Sequence, residues 1–371
     1  MFPTAFSTTF GRRRTMLTLA VVGTIPAFAF THSLVQHSRD RREQLAVDWA
    51  RQGEQDLRAG RAAQAADEFR TAQQYAHDRG EYRLQLAQAL IAANRFVEAQ
   101  AQLLTVWNQT PGDGVVNREL GRIAARDGDV ANALRYYHAA IDGAWSGDAA
   151  QERRRTRTEL AEFLLQRHDT TQAHAELIAL VGDLPPDPAA MTDAAALLLK
   201  ADAGAQAMPL LQKALALDPR NPRALRLAGE AAFDLGDYPT ARSDLEAAVA
   251  EAPLDARGEQ LLDVSTRVLA LDPFARRISS RERLRRIVRI YGVARAELER
   301  CPAGAQPDLQ SQMDTLEPKM TEHDLARDPD LVDQAIALVT NVEASTQAAC
   351  GPAQGDALAL QLVLRQRRSS S

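Results

Sequence analysis

Asn221 to Asp255 reads NPRALRLAGEAAFDLGDYPTARSDLEAAVAEAPLD. Apolar residues recur at helical spacing on both sides of Gly236-Asp237-Tyr238, and Pro253 closes the stretch. This predicts two short amphipathic helices joined by a tight turn. The same landmarks recur along the chain. Ala65, Ala99 and Ala133 lie 34 residues apart, as do Ala173, Ala207 and Ala241, with a step of 40 between the triplets. Pro185, Pro219 and Pro253 keep the beat, and Pro111 fits the first triplet. A period of this length marks a stack of helical hairpins, because no hairpin can bury its apolar stripe alone.

The residues at these positions resemble the tetratricopeptide repeat. Leu225, Gly229, Phe233, Gly236-Asp237-Tyr238, Ala241, Leu245, Ala248 and Pro253 follow its pattern in the sixth unit. Trp49, Gly53, Leu57, Gly60, Ala65, Phe69 and Ala72 do so in the first, and Leu120-Gly121, Gly128-Asp129, Ala133, Tyr137 and Ala140 in the third. Units two and four are looser, with Trp107 or Leu180 in place of the last alanine. Unit five departs most, having Ala194-Ala195 for Leu-Gly and Asp202 at the turn. The small residues belong where the two helices of a hairpin cross closely. Gly60, Gly128 and Gly236 supply the permissive backbone of the turn. The fold expected is all-α, a solenoid of six repeats over 36–255 followed by a small helical C-terminal capping domain over 256–371. The step of 40 places a joint near Ala144–Arg154, where Ser146-Gly147-Asp148 breaks the helix.

The N-terminus differs. A basic tail, 1–14, ends in Arg12-Arg13-Arg14, and an uncharged run follows from Thr15 to Phe30. That is the layout of a signal sequence. Residues 15–35 are read as a transmembrane signal-anchor. Cleavage after Ala27-Phe28-Ala29 is the alternative. The basic side favours an inside N-terminus and a periplasmic body at a bacterial inner membrane; many Ala and Arg with few Lys fit a bacterial source. Cys301 and Cys350 are compatible with a disulfide in an oxidising compartment. Each ends an apolar-periodic segment and precedes a helix stop, Pro302 or Gly351-Pro352. Past Pro253 the beat fails. A lone amphipathic helix, Glu259–Leu271, is expected, then a Ser279/Glu282 capping box opening a helix to Cys301. Segments marked by Leu309, Met313, Leu316 and Met320, and by Val332 to Val339, follow. A short helix, Ala357–Leu364, comes last before a frayed tail.

The resemblance implies a concave groove, lined by the first helix of each hairpin, that holds a peptide or partner helix. Carried over by position, Glu54, Arg58 and Gln88 belong to it, then Arg118, Arg122, Arg126, Arg155 and Glu162, and finally Arg226 and Glu230. Arg118, Arg122 and Arg126 stand at i, i+4 and i+8, a one-sided basic stripe suited to pairing carboxylates of an acidic partner, or else a solvated face. Tyr136, Tyr137, His138 and Trp145 are read as packing between repeats. A net charge of −5 argues against a nucleic-acid partner. Phosphate loops, dinucleotide fingerprints, zinc motifs and nucleophile elbows are missing from the sequence. The seven histidines are scattered, and paired carboxylates read as helix-surface charges. No enzyme activity, metal or cofactor is expected. The reading is a membrane-anchored interaction scaffold of the cell envelope. An envelope enzyme subunit with its chemistry in 256–371, and a cytosolic adaptor, remain alternatives; the oligomeric state is not legible.

Overall fold

A computed structural model describes residues 9–301 and 307–370, with side chains described for Phe28, residues 30–301 and residues 307–368. The chain divides into two compact units, one ending at Arg157 and one running from Thr158. In the first unit, α1 (Thr9–Arg58) packs on α2 (Ala62–Tyr75), and α3 (Gly80–Ala92) on α4 (Phe96–Trp107). The third pair is α5 (Gly114–Arg126) with α6 (Val130–Ile141). Helix α7 (Ala149–Gln166) carries the chain across the boundary. In the second unit, α8 (Thr170–Gly182) precedes the pairs α9 (Pro188–Lys200) with α10 (Gly204–Leu217) and α11 (Pro222–Asp234) with α12 (Tyr238–Glu251). Each unit is a run of helical hairpins in the 34-residue register, and the fold class is the all-α repeat solenoid.

The crossing positions explain the small residues. Ala65, Ala99, Ala133, Ala173, Ala207 and Ala241 are all fully buried. A Cβ on Gly53 would stand 3.0 Å from Phe69, one on Gly121 3.2 Å from Tyr137, and one on Gly229 2.5 Å from Leu245. Helices can approach this closely only where one partner lacks a side chain. The turns obey one rule in all six units. The residue five before the crossing alanine has a left-handed backbone: Gly60, Asn94, Gly128, His168, Asp202 and Gly236, with φ between 55° and 78°. In three units the next residue is an aspartate, Asp129, Asp169 or Asp237, whose carboxylate accepts from the N–H three residues on. That supplies the N-cap of the second helix. Asp113, Asp187, Asn221 and Asp255 cap the first helices of their hairpins in the same way.

Packing continues from the repeats into the C-terminal helices across 255/256. Helix α13 (Ala256–Leu271) stacks on α12. Its other main neighbour is the last helix, α18 (Gly355–Ser370), which occupies the place a second hairpin helix would take. Between them the chain builds α14 (Ser280–Arg300), α15 (Pro307–Leu316), a 3-10 turn (Glu317–Lys319), α16 (Glu322–Arg327) and α17 (Pro329–Cys350). One apolar core runs from Tyr238 on α12 through Val268, Ile290, Met313 and Val339 to Leu364. Ser279 caps α14, but Glu282 turns to Arg285 and Arg286 rather than back, so only half of the capping box forms. The last helix is longer than expected and its end is not frayed. Arg267 pairs with Asp356 at 2.7 Å, Gln366 donates to the Gly236 carbonyl at 3.2 Å, and Arg368 pairs with Glu343. Cys301 and Cys350 are disulfide-bonded, with 6.1 Å between Cα atoms, joining the ends of α14 and α17.

Helix α1 continues without interruption from the N-terminal segment into the first repeat. Residues 30–45 are exposed, and Ala46 is the first buried one. Most of the run Thr15–Phe30 and the arginines before it lie outside the residues whose side chains are described. Among the described residues no helix is long and apolar enough to cross a membrane.

Candidate functional site: the faces of the first helices

In the first unit the expected groove residues meet, but not as an open basic stripe. Glu54 pairs with Arg58 at 3.1 Å on α1 and accepts from Gln85 on α3 at 3.1 Å; Gln88 is half-buried nearby in sequence. Arg118 is only 9% exposed. Its guanidinium lies 4.7 Å from the Trp145 ring centre and is ion-paired with Glu152 of α7. The cause is the six-residue excess between units three and four. Its backbone folds back on the approach to α5: Gly114 N–H donates to the Ala144 carbonyl, and Ala144 N–H to Gly112, both at 2.8 Å. Trp145 then fills the space a Gly114 side chain would need, with its indole N–H held by the Ala140 carbonyl at 2.9 Å. A desolvated guanidinium needs its carboxylate close, and Glu152 supplies it. The stripe is therefore corrected: Arg118 is spent inside the fold. Arg122 pairs with Glu119 at 2.8 Å, and Arg126 stacks 3.6 Å from the Phe96 ring centre while reaching Asp127. Arg155 is exposed on α7 with a 3.9 Å approach to Glu152; Glu162, two turns on, is exposed.

Tyr136 and Tyr137 are buried. Tyr136 meets Trp107 edge-on at 6.5 Å, and Tyr137 fills the crossing opposite Gly121.

The second unit brings Arg226 and Glu230 together, 3.3 Å apart on α11. Two residues join them that position alone did not nominate. Arg257 of α13 donates to Glu230 at 2.6 Å, and Asp255 lies 3.7 Å from Arg226. Arg223 reaches across to Asp193 on α9. The signal for Arg257 was present in the sequence, since it stands one period after Arg223. Asp234, at the end of this face, has its carboxyl pushed up by burial and then by the Glu230 charge, with Arg257 pulling it down. The result is a lattice of alternating charge spanning three first helices, fixed on rigid hairpins.

One acidic pair is not on the surface, against expectation. Asp56 on α1 and Glu68 on α2 are each 5% exposed. Glu68 is pushed up by burial first, then by the charge of Asp56 and the hydrogen bond between them, while Arg61 and Gln64 pull it down. Arg61 holds Asp56 in an ion pair. Among the described residues no group of three or more His, Cys, Asp or Glu is placed to hold a metal ion. His168 is exposed and supplies the left-handed residue of its turn, at φ 60°.

No curated protein matches the chain by sequence. Solved structures do resemble it. A type IV pilus biogenesis factor, PilW, is 16% identical over 59% of this chain and 99% of its own, with a TM-score of 0.43. PilF of Pseudomonas aeruginosa is 17% identical over 51% of this chain and 84% of its own, at 0.37. The C-terminal part of a repeat protein from Cytophaga hutchinsonii is 15% identical over 76% and 98%, at 0.46. Residues 56–118 and 198–263 match the tetratricopeptide-repeat family model, the second match running into α13. Those two segments carry tetratricopeptide repeats, and the neighbouring hairpins keep the same 34-residue register.

Proposed function

We propose that this chain is a non-enzymatic protein–protein interaction scaffold of a bacterial cell envelope. In this reading it is held at the inner membrane by residues 15–35, with its repeat body on the periplasmic side. The observation that carries the interaction role is the Arg226–Glu230–Arg257 lattice. It spans α11 and α13 on a partly exposed face and offers paired, hydrogen-bonding side chains of alternating charge. Such a surface recognises a peptide by charge register rather than transforming it. The Cys301–Cys350 bond supports the address, since structural disulfides persist in oxidising compartments. The exposed stretch of α1 between Phe30 and Ala46 would hold the body about 24 Å from the apolar run.

The test is crosslinking and pull-down from native membranes, comparing the natural chain with the pair Arg226→Glu and Arg257→Glu. Loss of a specific partner in the double variant supports the groove; capture of the same partners at the same yield would sink it. A periplasm-dependent reporter fused at residue 50 tests the topology, and an inactive reporter would leave a cytosolic adaptor as the better reading.

A further inference from the structure

Away from the first-helix faces, the second unit holds a cleft of about 990 Å³. Three segments wall it: the α11–α12 turn, the end of α13 with the loop into α14, and the last turns of α18. Sequence spacing does not bring these segments together, because α18 reaches this place from about 90 residues beyond α13.

The floor is apolar. Tyr238, Val268 and Val363 are each 5% exposed or less. Two large apolar side chains stand open at the mouth, Leu235 at 51% and Phe274 at 36% exposed. Around them the charge is one-sided, with four arginines (Arg242, Arg276, Arg286, Arg367) against two aspartates. Both aspartates are committed. Asp237 caps α12, and Asp272 accepts from the Phe274 N–H at 2.8 Å. Arg286 is committed too, donating to the Leu269 and Asp272 carbonyls. Two of the others are less engaged: Arg242 approaches Glu246 only at 3.5 Å, and Arg276 has no hydrogen bond or ion pair to another described residue. Arg367 stacks 4.6 Å from the Phe274 ring centre.

We propose that this cleft docks an acidic peptide segment of a partner protein. One large apolar side chain enters between Leu235 and Phe274, and flanking Asp or Glu carboxylates pair with Arg242 and Arg276. Arginine forks match carboxylates in two-point contacts, and a buried aromatic or leucine anchor ringed by such pairs is the usual anatomy of a docking hot spot. The site is independent of whatever the first-helix faces hold.

The experiment pans a random 12-residue phage-displayed library on the full chain, then measures synthetic copies of the selected peptides by fluorescence anisotropy. The expected selection is rich in Asp and Glu around a Leu, Phe or Trp. Affinity falls tenfold or more in the Arg242→Glu, Arg276→Glu double variant and falls steeply with salt. It is unchanged in the Arg226→Glu, Arg257→Glu pair. Arg276→Ala, which removes no hydrogen bond or ion pair among the described residues, keeps the test valid should the double variant fold poorly, and it weakens binding at least threefold. The proposal is overturned if the selected peptides lack acidic residues, or if the rim variants leave affinity unchanged. It is equally overturned if the first-helix pair alone abolishes binding, or if the rim variants reduce only binding to phosphatidylglycerol vesicles.

Discussion

Gly229→Ala is the sharpest test of the hairpin geometry. An added Cβ would lie 2.5 Å from Leu245 Cγ, 3.0 Å from its Cδ2 and 3.2 Å from the Ala241 carbonyl oxygen. Carbon atoms in contact prefer about 3.5–4.0 Å, so the overlap is roughly 1 Å. The obstacles are a branch carbon and a backbone oxygen, neither of them the free end of a long side chain. Leu245 is fully buried and cannot swing into solvent. Overpacking of this kind costs about 1–3 kcal/mol, and rigid neighbours place it near the upper end. Against it stands a helix-propensity gain of about 1 kcal/mol for alanine over glycine. The net expectation is a loss of about 2 kcal/mol, read from urea unfolding followed by circular dichroism. Leu245→Ala alone costs about 2–5 kcal/mol by leaving a cavity. In that background Gly229→Ala should become neutral or favourable, giving a coupling of about 2–3 kcal/mol in the double-mutant cycle. A single variant as stable as the natural chain, or a cycle with no coupling, would refute the close crossing of α11 and α12. The equivalent changes at Gly53 and Gly121 should cost less, because a Cβ there meets aromatic rings at 3.0 and 3.2 Å.

His168→Gly should raise stability by roughly 0.5–1 kcal/mol, because φ is 60° there and glycine carries no left-handed penalty. Gly236→Ala, at φ 76°, should lower stability by about 1 kcal/mol; equal melting points for the two variants would contradict the turn assignment. Glu68→Gln bears on pH. The native carboxyl holds its proton above the ordinary carboxylate range while the unfolded one has lost it, so its contribution to stability is present at acid pH and fades as pH rises through the raised value. The variant should therefore stabilise the first unit at neutral pH and flatten the pH dependence above the ordinary carboxylate range; a natural chain whose melting point climbs with pH there relative to the variant would count against it. Cys350→Ser should cost about 4 kcal/mol, the chain-entropy value for a bridge spanning 49 residues, and hydrogen exchange should quicken first in α14 and α17.

The legible part of this fold was the part where physics demands a particular residue type. A crossing with no room selects Gly or Ala, and a left-handed turn selects Gly. Gly60, Gly128 and Gly236 therefore announced a left-handed backbone by residue type, while Asn94, His168 and Asp202, with the same backbone, carry no glycine signal and are placed by the period alone. The penalty for a side chain there is small enough for the surrounding hairpin to override. Helix spacing misled at Arg118 for a different reason. The i, i+4, i+8 pattern places three arginines on one side of α5, but it is blind to the inserted loop that brings Trp145 and Glu152 over the first of them.

A repeat turns distant contacts into local ones, and that sets the boundary between what could and could not be read. Arg257 and Glu230 are 27 residues apart, yet they meet because each holds a defined place in successive hairpins; the period encodes the contact. Past Leu271 no such encoding exists. Arg267 finds Asp356 across 89 residues, and α18 completes the pairing that α13 began only after four other helices have been laid down. Stability of that arrangement rests on one shared core rather than on nearest-neighbour stacking, so the array ends in a closed, singular structure. A singular structure can carry a singular surface. The hairpins repeat their faces with variations, whereas the cleft between the α11–α12 turn and α18 occurs once among the described residues. Specificity for one partner over the many that a repeat face tolerates is most economically placed there.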